Sequence, residues 1–507
     1  MADDLDHIVK DFARANATAR KMPRFAPKVK QFGRVVSIGD GVAHVEGLRD
    51  IAADELIQLP NRLMAIASSI KLDRAGLILL GDAATLNFGA PAKRTQRVVD
   101  VPVGDAFQGR IVDALGRPLD GKGPVRAAQR EPVEQPAPAI IDRAPVSTPL
   151  QTGIKSVDAA IPIGRGQREL ILGDRQTGKT TIALEAILNQ KDTGVVSIYC
   201  AIGQRASAVA RVIEALRRHD ALKRTVVVVA SGDDAPGLQF IAPYAAATIG
   251  EFFMRRGQDA LIVFDDLTRH ARAYRELSLL LRRPPGREAF PGDIFFIHAR
   301  LLERATRLSE AMGGGSLTAL PIIETQAQNL SDYIPTNLIS ITDGQIYVSP
   351  NLFRAGHLPA IDIGTSVSRV GGDAQLPAYR AVVGDLKLAY AQFEELEAFS
   401  RFGSRLDEDT RRQLERGRRV REVLRQDQHD LLPVIEQIGV LFAATTGLLD
   451  GVRVDRIAEA EQRIRQEVRE KLSRLGEAIE AGAPIDKEAR ATLTLAARTA
   501  LGRGDLV

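Results

Sequence analysis

One octapeptide constrains this chain more than any other feature. Gly173, Asp174, Arg175, Gln176, Thr177, Gly178, Lys179 and Thr180 fit the phosphate loop G-x-x-x-x-G-K-[ST], and Thr181 follows at the start of a helical stretch. Two glycines at this spacing let the backbone wrap a phosphate with its N–H groups, and a helix opening at Gly178 aims its positive end at the anion. Lys179 is placed to reach the outer phosphates, and the Thr180 hydroxyl to ligate magnesium. A glycine-rich turn of purely structural purpose leaves the Lys–Thr pair unexplained. The loop lies between a strand-like run, Glu169 to Gly173, and a helical stretch, Thr180 to Gln190, which is the context that a nucleotide site requires.

The flanking rhythm predicts a multidomain chain. Across about 96–375, apolar runs at Val195 to Ala201, Thr225 to Ala230 and Leu261 to Phe264 alternate with helical stretches near 205–219 and 237–256. Such runs belong to strands covered on both faces, in a central α/β domain of the phosphate-loop (RecA) type with a parallel sheet. Residues 28–95 carry short apolar runs punctuated by Gly39-Asp40-Gly41, Gly47, Asn61 and Gly81-Asp82, which predicts an N-terminal antiparallel β-barrel or sandwich. From 376 to 507 strands give way to charge-rich helical stretches, 404–428 and 452–480, with Ile457, Ile464, Val468, Leu472 and Ile479 on one face. This is a C-terminal α-helical domain whose charges face water. Residues 1–27 stand apart: Leu5, Ile8, Val9 and Phe12 form an amphipathic stripe that needs either its own domain or a partner subunit to dock on.

Composition narrows the class. A length of 507 residues suggests about three domains. Cys200 is the single cysteine, which excludes a disulfide scaffold and a paired-cysteine zinc site and points to a reducing compartment. Lys+Arg 68 against Asp+Glu 64 leaves +4, too near balance for nucleic acid to be the expected partner. No apolar run reaches the roughly 18 residues of a membrane span; the longest, Ile438 to Leu449, is broken by Gly439 and Gly447. Asp3, Asp4, Asp6 and Asp11 argue against a signal or transit peptide.

A bound nucleotide needs a magnesium partner at the end of a buried strand. Leu261 to Phe264 runs into Asp265 and Asp266, and Asp265 is the candidate, against the alternative of an aspartate that caps the helix beginning at Leu267. In phosphate-loop ATPases of this strand-and-loop kind, water is often activated by a Glu at the end of the strand after the loop's helix. Here that place holds Gln204, which can orient water but cannot take its proton as a carboxylate does, so slow or absent turnover is expected. Arg369 beside Gly371 is either an arginine finger or a structural arginine on backbone carbonyls, and the residues alone leave the two level.

At these residues the chain resembles the alpha subunits of rotary F-type ATP synthases, over about 28–450. The resemblance rests on Gln151 to Asp158, Pro162 to Arg168, the phosphate loop, Leu279 to Glu288, Tyr333 to Asn337, Ile341 to Gln345 and Ser366 to Gly371. It implies a non-catalytic subunit that binds ATP or ADP with Mg2+ and alternates with the beta subunit in a ring around the gamma shaft. It further implies an N-terminus meeting the delta subunit of the peripheral stalk, and a location on the cytoplasmic face of the cell membrane, coupled indirectly to the ion-translocating sector. Arg369 matches the family's arginine finger, and Ser366 and Ser340 match positions lining the site shared with beta. For the chain's own nucleotide, residues 173–181 match the phosphate site, Thr180 and Asp265 the magnesium positions, Gln204 the family's replacement for beta's catalytic carboxylate, and Phe353, Pro359, Gln426 and Gln428 the adenine pocket. The chain departs from the family at Leu358, where Arg is usual, and at His429, where Tyr is common; both are compatible with a divergent second copy of the enzyme.

Two other classes compete. A self-sufficient homohexameric ATPase of the secretion or helicase type would favour a carboxylate at 204, and a helicase would favour a basic, aromatic-rich barrel. A nucleotide-sensing regulator would have no use for Arg369.

Overall fold

A computed structural model describes residues 32–502 except 85, 385 and 401–406. The Leu5–Phe12 stripe therefore lies outside the described residues. The first described domain is a closed barrel of strands β1 (Phe32–Gly39), β2 (Val42–Glu46), β3 (Glu55–Gln58), β4 (Met64–Ile70), β5 (Arg74–Leu79) and β6 (Pro91–Val98), in the order β1-β2-β5-β4-β3-β6. Alternation along each strand turns Val35, Ala43, Val45, Ile57, Leu77 and Leu79 into a filled interior. Buried Glu55 on β3 accepts from the Arg94 guanidinium at 2.8 Å and from the Gln96 amide at 2.9 Å, which ties β3 to β6. The last barrel strand ends at Val98, past the 95 at which the sequence rhythm suggests the domain ends.

Next come β7 (Asp100–Val103), β8 (Ile111–Asp113) and β9 (Gln129–Pro132), with β7 and β9 paired on each other. The central domain continues with β10 (Leu170–Gly173), β11 (Val196–Gln204), β12 (Thr225–Ser231), β13 (Asp259–Asp265), β14 (Ser316–Glu324), β15 (Gly344–Val348) and β16 (Val367–Ser368). They join β8 in an eight-stranded sheet of order β16-β15-β10-β14-β13-β11-β12-β8, in which only the β15–β16 pairing is antiparallel. Its helices are α1 (Lys155–Ala160), α2 (Lys179–Leu188), α3 (Ala206–Arg218), α4 (Pro236–Met254), α5 (Leu267–Leu280), α6 (Ile294–Leu302), α7 (Tyr333–Ile341) and α8 (Pro350–Arg354). Both sheet faces are covered, by α4 and α5 over one core and by α2 and α3 over the other, so the strands read as continuous apolar runs.

The helical domain comprises α9 (Pro377–Val383), α10 (Leu386–Ser400), α11 (Glu408–Val423), α12 (Val434–Thr445), α13 (Ile457–Lys471), α14 (Ser473–Glu480) and α15 (Lys487–Leu501). The long 452–480 stretch is thus two helices, parted at Leu472 (φ −116°, ψ 25°). Among the described residues no helix is long and apolar enough to cross a membrane.

Buried polar contacts weld this domain to the nucleotide-binding one. Lys155 of α1, 1% exposed, pairs with Glu461 of α13, and Gln437 of α12 donates to Asp158 of α1 at 2.9 Å. Burial pulls the Lys155 ammonium below its ordinary range while Glu461 opposes the shift. Removing one partner of such a pair leaves an uncompensated charge in the interior. Glu461→Ala should therefore destabilise the unit formed by the two domains by about 3–5 kcal/mol in a urea titration of the full chain. A change below about 0.5 kcal/mol, the scale of an ordinary surface substitution, would show that the pair contributes nothing.

Candidate functional site

β10 is flanked by β14 and β15, so the loop that leaves it at Gly173 emerges from the middle of the sheet. Gly173 packs so closely that a Cβ would collide with the Val348 carbonyl, and Gly178 takes φ 102° as it opens α2; both positions need glycine. Between them the loop is braced by its own side chains. The Thr177 hydroxyl donates to the Asp174 carbonyl at 2.9 Å, and the Asp174 carboxylate accepts from Thr325 at 2.6 Å and from the Gln328 amide at 3.0 Å. Arg175 and Gln176 are exposed, Arg175 donating to Glu324 at 2.9 Å. The Lys179 ammonium is buried and donates to the Asp174 carbonyl. Burial lowers its pKa, and the carboxylates of Glu324, Asp266, Asp265 and Asp174 oppose the shift.

Asp265 ends β13 with 2% of its surface exposed. Its Oδ2 accepts from the Thr180 hydroxyl at 2.7 Å and from the Tyr199 hydroxyl at 2.8 Å, and its Oδ1 accepts from the Gln204 amide at 2.9 Å. Burial raises its pKa; the Thr180 and Tyr199 donors and the Lys179 charge counteract it. The helix-capping role belongs instead to its neighbour, since Asp266 accepts from the Arg269 amide at 2.8 Å at the start of α5. Burial and the Asp265 charge push Asp266 up to about 7. Asp265, the residue the sequence favours, thus faces the loop, and the capping role held as its alternative falls to Asp266.

Thr180 and Asp265 are hard oxygen donors that suit Mg2+. Among the described residues no group of three or more His, Cys, Asp and Glu side chains could hold a metal ion. A small divalent cation here would rely on these two residues, phosphate oxygens and water, the usual pattern for Mg2+. With such an ion bound, it would neutralise phosphate charge.

A cavity of about 170 Å3 opens beyond the loop, lined by Thr177, Gly178, Thr181, Phe353, Pro359, Gln426 and Gln428 among others, with Leu358 at its wall. The fold thus brings together α2, the segment after α8, and the loop 426–430 that leads into the last helices. Gln426 touches the cavity, but its amide is engaged elsewhere: it donates to the Gly153 carbonyl at 2.7 Å and the Asp430 carbonyl at 2.6 Å and accepts from the Lys155 amide at 2.9 Å. It holds the cavity wall in place, leaving its stem to contact a base. Gln428 and Phe353 are exposed.

The third cluster lies at the β16 edge. Arg369 is exposed and donates to the carbonyls of Thr342 and Ile339, each at 3.2 Å. The turn that offers these carbonyls is clamped by Asp343, which accepts from Arg168 at 2.7 and 2.9 Å. Ser340 is exposed on α7 and donates to the Thr336 carbonyl at 2.9 Å. Ser366 is 0% exposed, donates to the Asp362 carbonyl and accepts from the Tyr347 amide at 2.9 Å, bracing the turn from inside.

Sequence reasoning missed Tyr199, Glu185 and Glu324. Glu324 ends the apolar run of β14 as Asp265 ends that of β13, so the same signal was available. For Tyr199, inside a fully buried strand, and Glu185, inside a helix, the sequence carries no comparable mark.

Comparison with known proteins yields two family matches: "ATP synthase alpha/beta family, nucleotide-binding domain" over residues 153–368, and "ATP synthase alpha/beta chain, C terminal domain" over residues 375–500. The ATP synthase subunit alpha 2 of Syntrophus aciditrophicus is 59% identical over 472 residues, covering 93% of this chain and 91% of that one. The ATP synthase subunit alpha 2 of Albidiferax ferrireducens is 57% identical over 503 residues, 99% and 94% of the two chains. The ATP synthase subunit alpha 1 of Chlorobium luteolum is 56% identical over 501 residues, 99% and 97% of the two.

The geometry at Asp265 makes a test with opposite signs. Asp265→Asn keeps the shape and removes the charge, so Mg2+-nucleotide binding should weaken by about 10- to 100-fold, the scale of a disturbed metal shell. Metal-free nucleotide should bind no worse, because a repulsion between carboxylate and phosphates is removed. Equal loss in both titrations would mean the residue supports the loop and not the cation.

Proposed function

The chain belongs to the alpha subunits of the ATP synthase alpha/beta family, and from that premise we propose that it binds Mg2+-ATP or Mg2+-ADP without turning it over and lends Arg369 to the active site of a neighbouring beta subunit. The surroundings of Arg369 carry this reading. A structural arginine looks like Arg304: 1% exposed, held by Glu251 at 2.7 and 2.9 Å, by Thr248 at 2.8 Å and by the Val133 carbonyl at 2.7 Å. Arg369 instead stands at the surface on two 3.2 Å contacts with neutral carbonyls, so moving it to an anion costs little. Among the described residues it has no carboxylate partner within salt-bridge distance.

The non-catalytic half of the proposal rests on Gln204. Its amide donates to Asp265 and offers no base, and Glu324, another acid beside the loop, is engaged by Arg175. This also counts against a self-sufficient homohexameric ATPase. In the proposed complex, phosphoryl transfer in beta depends on charge supplied across the interface, so a shaft that shifts the interface controls catalysis. Ser366 acts here by shaping the turn that presents Arg369, and Ser340 belongs to the same surface. Ile140 and Ile141, 90% and 88% exposed, are compatible with close neighbours in a ring. The partners are then beta, the gamma shaft and, through residues outside those described, the delta subunit. The assembly sits peripherally on the cytoplasmic face of the cell membrane and couples to ion flow through a separate membrane sector.

The decisive experiment compares the chain alone with the chain assembled with beta and shaft. Alone it should bind Mg2+-ATP and show no turnover. In the assembled complex Arg369→Ala should lower turnover by about 10³- to 10⁵-fold, the range of an arginine finger, with the chain's own nucleotide affinity unchanged. Brisk turnover by the chain alone, or full turnover with Arg369→Ala, would overturn the proposal.

A further inference from the structure

The base end of the nucleotide cavity holds one group without a task in the reading above. Glu185 lies on α2 with Thr181 and Ile182, and the spacing i, i+1, i+4 turns all three into the cavity. It stands about 9 Å along the helix from Lys179 and shares the cavity wall with Phe353 and Pro359. The residue is 6% exposed. Its Oε1 accepts the His429 amide at 3.1 Å, and its Oε2 has no hydrogen-bond partner among the described residues.

The electrostatic surroundings are sparse. Neither Lys nor Arg lines the cavity. The segment from Phe353 to Ala360 presents only apolar side chains to it. From the loop 426–430 come Asp427, exposed at the rim, and His429, whose ring lies 4.7 Å from that of His219; burial and His219 both lower the His429 pKa. Burial without a counter-charge lifts the Glu185 carboxyl to about 7, against the single opposing hydrogen bond from His429. Both N–H donors of the Gln426 amide are taken by protein carbonyls, so it has no donor to give a base.

We propose that Glu185 reads the base of the nucleotide held by this chain and that its proton decides between adenine and guanine. This rests on the nucleotide reading above. A neutral carboxyl offers one donor and one acceptor, the complement of adenine's ring nitrogen and exocyclic amine. An ionised carboxylate offers two acceptors, the complement of guanine's N1–H and N2–H2. Accepting from His429 leaves Oε1 a second lone pair, so both oxygens remain available to a base. ATP binding then takes up a proton at Glu185 once the pH exceeds the pKa of the free chain, and GTP binding does not. The sign follows: ATP needs the carboxyl protonated and GTP needs it ionised, so the ratio of ATP to GTP affinity falls as the pH rises through about 7, by at most tenfold per pH unit.

The test titrates the purified full-length chain with Mg2+-ATP and Mg2+-GTP calorimetrically at about pH 6 and about pH 8, bracketing the carboxyl's transition. The ratio of the two affinities cancels protonation of the triphosphate, which both ligands share. It should fall by about tenfold or more across this range in the native chain. In Glu185→Gln, a permanent donor and acceptor, the ratio should be flat and stay on the ATP side. A ratio independent of pH in the native chain, or a slope that persists in Glu185→Gln, overturns the inference. Should that variant not fold, the heat of binding in buffers of different ionisation enthalpy counts protons in the native chain, and equal uptake with both nucleotides overturns it too. Saturable binding of neither nucleotide at any pH would sink the nucleotide reading itself, and the inference with it.

Discussion

A carboxylate with 2% of its surface exposed survives at the end of β13 only because three side chains donate to it. Asp265 receives Thr180 from the phosphate-loop helix and Tyr199 and Gln204 from the neighbouring strand. One acceptor thereby sets the height of α2 against the sheet, supports the register in which Ala201 lies beside Asp265, and orients the Gln204 amide. The same contacts decide the chemistry. An amide held against a buried acid is a restrained group, while the acid remains within reach of a cation that Thr180 would share. The loop, the strand ends and the absence of a general base at position 204 are one arrangement.

A second constraint joins the helical domain to the nucleotide cavity. Gln426 bonds to the main chain at Gly153 and Lys155, Lys155 pairs with Glu461, and Arg465 reaches Asp430 at 2.7 and 2.8 Å and Glu436 at 3.0 Å. The loop 426–430 is therefore both a wall of the cavity and the anchor of the last helices. Buried charges of this kind are costly to separate, so the helices and the cavity wall move together or not at all. In the proposed ring, such a connection would carry any displacement of the helical domain toward the nucleotide.

The arginines sort by how fully they are bonded. Arg304 is saturated and buried, and Arg168 is locked between Asp343 and Glu303. Arg369 stands at the surface on two carbonyls, in a turn that the Arg168–Asp343 clamp and the Ser366 hydroxyl keep in shape. Three residues of one chemical type thus hold three different offices, and none of this follows from their identity.

What the sequence determined by itself was local. The glycine spacing of the phosphate loop, the apolar strands alternating with helices, the short strands of the barrel and the 3.6-residue stripes of the last helices all act within a turn or two of chain, and each is visible in the folded molecule. Asp265 was legible for the same reason, as the residue directly ending a buried run. What only the tertiary structure decided was which polar atoms are free. Both donors of the Gln426 amide are engaged, one of them by Gly153, 273 positions away, so it has none to give a base. Ser366 is fully buried, and Glu185, an unremarked helix residue in the sequence, faces the cavity with an open oxygen. Hydrogen-bonding capacity is finite, and in a folded interior it is allotted by partners brought from distant parts of the chain.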